Sequence, residues 1–262
     1  MRPNFHILAV LLLACTVSPA AHLSQPAKGA FDSYIAGLEV RLASYDSAPA
    51  ATPGDAGAVH IEPVNGGSWA VSGALIHHWR GTALVPGVGA RDMLALLRDY
   101  NHFARYYAPE VSASRALSVD GDAAVVAMRF RKQEVIMVVL DAEFQSRSGL
   151  SGPGRGYSVS RSIHFWQVDR PGTPQERRRP EGDDDGFLWR LNSYWRFQET
   201  GSGLLIECQA VSLTRDVPVG LGWLITPIIQ TLPRSSLEFT LASTREALIA
   251  NQIGRHPDGR AN

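Results

Sequence analysis

Apolar positions along the chain change their period twice, and each change marks a boundary between predicted elements. Near the beginning they recur every three or four residues, which predicts an amphipathic helix over Phe31–Ala43. The residues that follow, up to 71, are rich in Ala, Pro and Gly and predict an irregular linker, so that 22–71 form an N-terminal region. Because the apolar face of a helix has to be covered, this helix is expected to contact the main domain, a membrane or a partner.

The main domain is predicted over Ser72–Gln252 and consists mainly of strand-like segments. A long strand, Ser72–Val85, precedes a helical stretch, Arg91–Tyr107, which can divide at Asp99. Turn signals then separate six further strand candidates. These are Val111–Ser118, Ala123–Arg131, Glu134–Ser146, Tyr157–Asp169, Phe187–Glu199 and Leu204–Leu213. Their short connections favour antiparallel pairing, since parallel pairing needs a crossover of about a dozen residues or more.

The period changes again at the breaker cluster Pro218–Gly222. Apolar positions then follow a helical spacing as far as Gln252, which predicts a long C-terminal helix, and 253–262 are expected to be a disordered polar tail. The order of strand, short helices, six strands and long helix predicts an α+β fold. We expect a curved antiparallel sheet of about six or seven strands around the long C-terminal helix.

Composition narrows the classes of function. The chain has 262 residues, with 25 basic and 25 acidic side chains and no net charge. Because phosphate binding needs a basic excess, a nucleic-acid partner is not expected. Apolar residues make up 45% and charged residues 19%, which excludes wholesale disorder.

The first residues have the pattern of a secretory signal peptide. An apolar run, Ile7–Ala14, follows a short basic start and precedes small residues, so cleavage near Ala20 or Ala21 is expected. Leu12–Cys15 also resembles a lipobox, in which Cys15 would carry a lipid, and both routes stay open. Either route predicts an exported protein, periplasmic or secreted. Cys208 then has no intrachain partner, and its apolar strand favours a buried thiol over a reactive one.

The usual catalytic signatures are absent from the sequence. There is no HExxH, CxxC, GxSxG or phosphate-binding GxxxxGK motif, so neither a cofactor nor a metal is expected. His77 and His78 are adjacent in a predicted strand and therefore point to opposite faces, which disfavours their binding one metal ion.

The segment Phe187–Glu199 alternates between an aromatic and a polar face. If the aromatic face turns inward, Trp189 and Trp195 line the core or a cavity and the arginines are solvated. If the polar face turns inward, Asn192, Tyr194 and Arg196 can orient a carboxylate or carbonyl of a ligand. The sequence leaves both interpretations open.

Three segments carry a resemblance to a known superfamily. HHWRGTALVPG, LNSYWRF, and VSLTRDVPVGLGWLI followed by LPRSSLEFTLASTREAL occur in an order that resembles the START / Bet v 1-like (SRPBCC) superfamily over about 180 residues. The resemblance implies a helix-grip fold, in which the C-terminal helix closes a hydrophobic tunnel for a lipid, sterol, quinone or polyketide. Bacterial members of the superfamily include polyketide cyclases and coenzyme Q-binding proteins.

Three functions are compatible with that resemblance. The first is transport or sensing of a lipid, isoprenoid or quinone, with transient membrane contact if the apolar segment LGWLITPII forms the lip of the tunnel rather than core. The second is a cyclase-like enzyme that uses Tyr194, Arg196 or His78 as acid or base. The third is a scaffold that docks a partner through Phe31–Ala43. The residues expected at the ligand are His78, Tyr107, Trp189, Asn192, Tyr194, Trp195, Arg196 and Trp223.

Overall fold

The computed structural model describes residues 22–44, 58–133, 137–181, 184–216 and 222–255, without the side chains of 44, 222–230 and 253–255. The expected signal segment, with the Cys15 lipidation site, lies outside the described residues. So does the tail beyond 255, although the C-terminal helix extends three residues past its predicted end at Gln252.

Four helices and nine strands make up the described chain. The helices are α1 Gln25–Ser44, α2 Ala90–Arg98, α3 Phe103–Tyr106 and α4 Gly222–Arg255, with a 3₁₀ turn at Tyr100–His102. The strands are β1 Val59–Val71, β2 Ala74–Val85, β3 Val111–Asp120, β4 Ala123–Gln133, β5 Met137–Gly152, β6 Arg155–Asp169, β7 Arg177–Arg178, β8 Arg190–Thr200 and β9 Gly203–Arg215.

All nine strands belong to one antiparallel sheet, with the order β1-β2-β9-β8-β6-β5-β4-β3 and the short β7 paired with β6. Helices α2 and α4 pack on one face, called the inner face below, and α1 packs on the other, called the outer face. This confirms the α+β helix-grip prediction of a curved antiparallel sheet with a long C-terminal helix. The sheet has more strands than the six or seven that were expected.

One extra strand comes from the segment that the sequence predicted to be a linker. Residues Val59–Val71 form β1, which pairs with β2 in a hairpin, so the sheet begins before the predicted boundary at Ser72. The linker prediction is therefore wrong over β1. Asn65, Gly66 and Gly67 have positive φ angles and lie at a break in the strand register, so the turn-like Asn-Gly-Gly is a bulge inside a strand.

The other predicted elements agree with the structure within a few residues. The helical stretch after β2 divides at Asp99, as its sequence suggested, because Asp99 ends α2 and precedes the 3₁₀ turn. Helix α1 is longer than the predicted Phe31–Ala43 and includes it. In the part of the chain that is described, no helix combines the length and apolarity that a membrane span needs.

Helix α4 packs on the inner face through an apolar row that includes Leu237, Leu241 and Leu248. Gly81 of β2 permits this approach, because a Cβ atom at Gly81 would lie 2.2 Å from Cδ1 of Leu241. The missing side chain therefore lets the C-terminal helix reach the sheet backbone. At Gly81 the helix and the sheet are therefore in direct contact.

Helix α1 covers the outer face. Its buried residues Phe31, Ile35 and Leu38 pack in one cluster with Ile76 of β2 and Val211 of β9. The sequence left open whether this amphipathic helix contacts the main domain, a membrane or a partner. In the structure it packs on the main domain. The sheet consequently has both faces buried near its centre, which the alternation pattern of its strands did not reveal.

Candidate functional site

A cavity of about 310 Å³ lies between the inner face of the sheet and α4. Its walls are largely apolar and include Val126, Met128, Phe144, Trp195 and Leu237. Pockets that hold small apolar molecules typically measure 300–1,000 Å³, so this one is at the lower end of that range. The space is large enough for one compact ligand.

Three serines form a row across the floor of the cavity. Ser146 of β5 is the register partner of Ser160 of β6, and Ser160 is the register partner of Ser193 of β8. All three line the cavity, and among the described residues their hydroxyl groups have no hydrogen-bond partner. These hydroxyls therefore remain available to a ligand or to water.

Ser158 and Ser212 also line the cavity and lie on either side of this row. Both are buried, and neither hydroxyl has a protein hydrogen-bond partner in the described part of the chain. The cavity-lining residues of β5, β6, β8 and β9 include no charged side chain. The floor is thus polar but neutral.

Tyr107 closes one wall of the cavity through a hydrogen bond to α4. Its hydroxyl lies 3.0 Å from Oγ1 of Thr244, which in turn donates to the carbonyl of Thr240 at 2.8 Å. Burial raises the pKa of Tyr107 to about 12, so its hydroxyl keeps its proton at neutral pH. Tyr107 therefore acts as a neutral donor that ties α4 to the segment before β3.

Three charged side chains, Glu110, Arg131 and Lys132, line one end of the cavity. Lys132 is paired with Glu110, and its Nζ atom lies 3.4 Å from the hydroxyl of Ser236 on α4. Both side chains of the pair are about one quarter exposed. With Arg131 beside this pair, this end of the cavity has two basic side chains and one acidic side chain, whereas the floor has no charged side chain.

Of the eight residues expected at the ligand, Tyr107 and Trp195 line this cavity. Trp223 lies in the first turn of α4, but its side chain is outside the described part. Trp189 packs instead in the α1 cluster, where its indole N–H donates to Asp184 at 3.0 Å. The structure therefore divides the expected residues between the two faces of the sheet.

His78 belongs to a hydrogen-bonded chain on the outer face. Its Nδ1 lies 2.6 Å from the hydroxyl of Tyr34 on α1, and its Nε2 lies 3.0 Å from Oε1 of Gln209. Gln209 donates to the carboxylate of Glu207 at 3.0 Å, and Arg196 donates to the same carboxylate at 2.5 Å. The expected ligand contacts of His78 and Arg196 are thus contacts within the protein.

Tyr194 and Asn192 lie in a second outer-face cluster beneath α1. The Tyr194 hydroxyl donates to Glu39 of α1 at 2.8 Å, and Arg161 donates to the same carboxylate at 2.6 Å. Asn192 lies 3.3 Å from the Tyr194 hydroxyl. The polar face of β8 is therefore covered by α1, which matches neither sequence interpretation, since this face was expected to be solvated or to line the cavity.

Burial dominates the ionisation of the two adjacent histidines. It lowers the pKa of both His77 and His78 to about 4, so both imidazoles are neutral at pH 7. As alternation predicted, they point to opposite faces, because His77 bonds to Ser68 and Thr214 whereas His78 bonds to Tyr34 and Gln209. No three metal-ligating side chains cluster within the described residues.

Cys208 lies on the floor of the cavity and is buried. Desolvation raises the pKa of its thiol, which keeps the sulfur protonated and weakly nucleophilic at neutral pH. The sequence interpretation of Cys208 as a buried thiol agrees with this position.

The serine row was not identified from the sequence. Each serine occupies an ordinary alternate position in its own strand, and no motif joins them. The row exists only because the register places Ser146, Ser160 and Ser193 side by side. Strand alternation alone could have shown that Ser158, Ser160 and Ser162 share a face.

Comparison with known proteins gives structural neighbours only. No family model matches the chain, and no curated protein matches it. A STAR-related lipid transfer protein from Xanthomonas axonopodis is similar at TM-score 0.48 and 17% identity, over 73% of this chain and 98% of that one. An aromatase/cyclase from a Streptomyces species is similar at TM-score 0.46 and 14% identity, over 70% and 97%.

Human STARD10 is similar at TM-score 0.44 and 11% identity, over 90% of this chain and 86% of that one. A lipid transfer domain and an aromatase/cyclase are thus both among the structures that this chain is similar to. The architecture itself rests on the strands, register and helices of this chain.

Proposed function

We propose that this protein binds one hydrophobic ligand non-covalently between the inner face of the sheet and α4, and that it transports or senses that ligand. The observation that carries the proposal is the apolar cavity of about 310 Å³. A lipid, isoprenoid or quinone is the class of ligand that such walls favour, because each buried methylene contributes about 0.8 kcal/mol. Tyr107 and Trp195 are the expected contacts.

The cyclase-like alternative needs acid or base groups inside the cavity. His78, Tyr194 and Arg196 were the candidates, but all three make their hydrogen bonds on the outer face. The described cavity walls offer serine and threonine hydroxyls, the phenols of Tyr100 and Tyr107, and the buried Cys208 thiol. Their charged groups are Arg131 and the Lys132–Glu110 pair at one end, and the described lining includes no histidine. Binding is therefore the better supported function.

The test is to fill the cavity without disturbing the rest of the sheet. Ala210 lines the cavity, and Ala210→Phe places a ring in the empty space. We expect the wild-type protein to bind a fluorescent fatty-acid probe and Ala210→Phe to lose at least tenfold in affinity, measured by titration. The matched control is Ala70→Phe, which adds the same ring at an exposed position of β1.

Binding that survives in Ala210→Phe would contradict the proposed cavity. Native mass spectrometry of the freshly purified wild-type protein provides a second measurement, because a carrier is expected to retain a hydrophobic molecule.

We further propose that the protein is exported and loses Met1–Ala21, or becomes lipidated at Cys15. Its apolar N-terminal run followed by small residues supports this. The intact mass of the protein recovered from the cell envelope distinguishes the two routes. A full-length mass in that fraction would contradict both.

A further inference from the structure

The serine row has a direction that restricts what the cavity can hold. Ser146, Ser160 and Ser193 follow one another across three neighbouring strands, in register. Neighbouring strands lie about 4.8 Å apart, so three hydroxyls recur at about that interval along a line perpendicular to the strands. A ligand lying across the strands meets one hydroxyl at each step.

Polar side chains near the row but outside the cavity floor, or at its edge, do have protein partners. Ser148 lies two residues after Ser146 on β5 and is completely buried, but its hydroxyl accepts a hydrogen bond from Arg98 at 3.1 Å. On β9, Thr214 bonds to His77 at 2.9 Å. Buried polar groups normally have such partners, because an unsatisfied hydroxyl is costly in an apolar environment.

A hydroxyl group both donates and accepts, and it carries no charge. The floor around the row has no charged side chain, so an ionised group of a ligand would be poorly solvated there. A neutral oxygen of a ketone, ester, ether or alcohol would complete the hydrogen bonds that the row leaves open. A plain hydrocarbon chain would leave them unmade and would displace any water that satisfied them.

On this basis we propose that the ligand is an oxygenated hydrophobic molecule that lies across the strands, with uncharged oxygen functions along its length facing Ser146, Ser160 and Ser193. This inference rests on the proposed function, because it assumes that the cavity is occupied, and it specifies the class of ligand. It distinguishes such molecules from saturated acyl chains of the same size. The serines are binding residues in this proposal and carry out no chemical step.

The test uses two probes that differ by one hydroxyl group, methyl oleate and methyl ricinoleate, in competition against a fluorescent fatty-acid probe. We expect the wild-type protein to prefer methyl ricinoleate about fivefold, the size of effect that one net hydrogen bond gives. In the triple variant Ser146→Ala, Ser160→Ala, Ser193→Ala, we expect the preference to disappear. The affinity of the triple variant for methyl oleate should equal or exceed that of the wild-type protein.

Ser148→Ala is the matched control, because it removes a buried hydroxyl of β5 that does not line the cavity, and it should keep the fivefold preference. Since the three serine hydroxyls make no hydrogen bonds to other described residues, the triple variant is expected to have the same melting temperature as the wild-type protein. The single variant Ser160→Ala is measured beside it. Ser160→Ala should lose part of the preference for methyl ricinoleate over methyl oleate. It provides the test if the triple variant fails to fold.

The outcomes separate this inference from the proposed function. Equal binding of both esters by the wild-type protein, or a preference that persists in the serine variants, overturns the oxygenated ligand and leaves hydrophobic binding intact. If neither ester nor the fluorescent probe binds to the wild-type protein, the proposed function is overturned, and this inference with it.

Discussion

The two faces of the sheet both carry polar side chains, but they use them differently. On the outer face, hydrogen bonds join His78 to Gln209 and Gln209 to Glu207 beneath α1, so that these polar groups have partners within the protein. On the inner face, the hydroxyls of Ser160 and Ser193 open onto the cavity and have no protein partner within the described chain. Polarity alone therefore does not mark a binding site. A better indication of a binding site is a polar group in a cavity that makes no hydrogen bond to the protein.

The two helices that cover these faces also differ in whether they supply hydrogen-bond partners to the sheet. Helix α1 brings Tyr34 and Glu39 to the sheet, and each completes a hydrogen bond of a sheet residue. Helix α4 brings mainly apolar side chains and leaves a space behind Leu237. We therefore expect changes beneath α1 to reduce stability, and changes beneath α4 to alter binding with little cost in stability.

The largest effect of a single substitution on stability is expected at Arg196. Glu207 is 2% exposed, and Arg196→Met removes the guanidinium that donates to its carboxylate. Because an uncompensated buried charge is strongly destabilising, we expect the free energy of unfolding at pH 7 to fall by about 4 kcal/mol. Urea denaturation followed by circular dichroism measures this change.

Arg190→Met on the same strand is the control. Its carboxylate partner, Glu181, is one third exposed, so water can replace the arginine and the expected loss is about 1 kcal/mol. Equal losses in the two variants would show that the burial of Glu207 does not matter. The affinity of Arg196→Met for the fluorescent probe should be unchanged under conditions where the variant is folded.

The second effect depends on pH and involves one histidine on each face. The folded pKa of His77 and His78 is about 4, below the usual 6.5, so the folded protein binds fewer protons than the unfolded chain between these values. The stability due to each neutral imidazole is complete above pH 6.5 and is lost as the pH falls toward 4. Each shift corresponds to about 3 kcal/mol.

Denaturation curves at several pH values between 4 and 7 check this dependence. His78→Gln is expected to remove about half of the loss that the two histidines cause. Carboxylates contribute to both proteins, so the difference between the curves isolates the imidazole. If the wild-type and His78→Gln curves run parallel over this range, the shifted pKa of His78 is contradicted.

The sequence predicted the fold well because the fold depends on period and on connection length. The short gaps between β3 and β6 and the helical spacing of α4 gave the antiparallel sheet and the long helix. The prediction failed at β1, because Asn-Gly-Gly is typical of a turn and only pairing with β2 shows it to be a bulge. Local signals could not supply that long-range partner.

The candidate site was predicted less well, for a reason that β8 makes clear. Alternation correctly separated Trp195 from Asn192 and Tyr194. The sequence could not show that α1 covers the polar face, so it treated that face as either solvated or ligand-binding. It also could not identify the serine row, since register between distant strands is a property of the assembled sheet.

The smallest effect is expected at the contact between α1 and His78, and it tests whether α1 belongs to the same cooperative unit as the sheet. The amide nitrogen of Gln209 donates to Glu207, so its oxygen faces His78, and Nε2 of His78 carries the proton. Nδ1 then accepts from the Tyr34 hydroxyl at 2.6 Å. Tyr34→Phe removes this donor and should reduce the free energy of unfolding by about 1 kcal/mol.

Tyr157→Phe is the matched control, because the Tyr157 hydroxyl has no hydrogen-bond partner in the described chain and its removal should change stability by less than about 0.5 kcal/mol. Both variants should bind the fluorescent probe as the wild type does, since the Tyr34 hydroxyl bonds on the outer face. If Tyr34→Phe weakened binding, the hydrogen bonds on the outer face would have to influence the cavity through the sheet. The proposal that the outer face contributes stability and the inner face contributes binding would then be wrong. If it changed neither stability nor binding, α1 would have to detach without cost, and its buried contacts with Ile76 and Val211 argue against that.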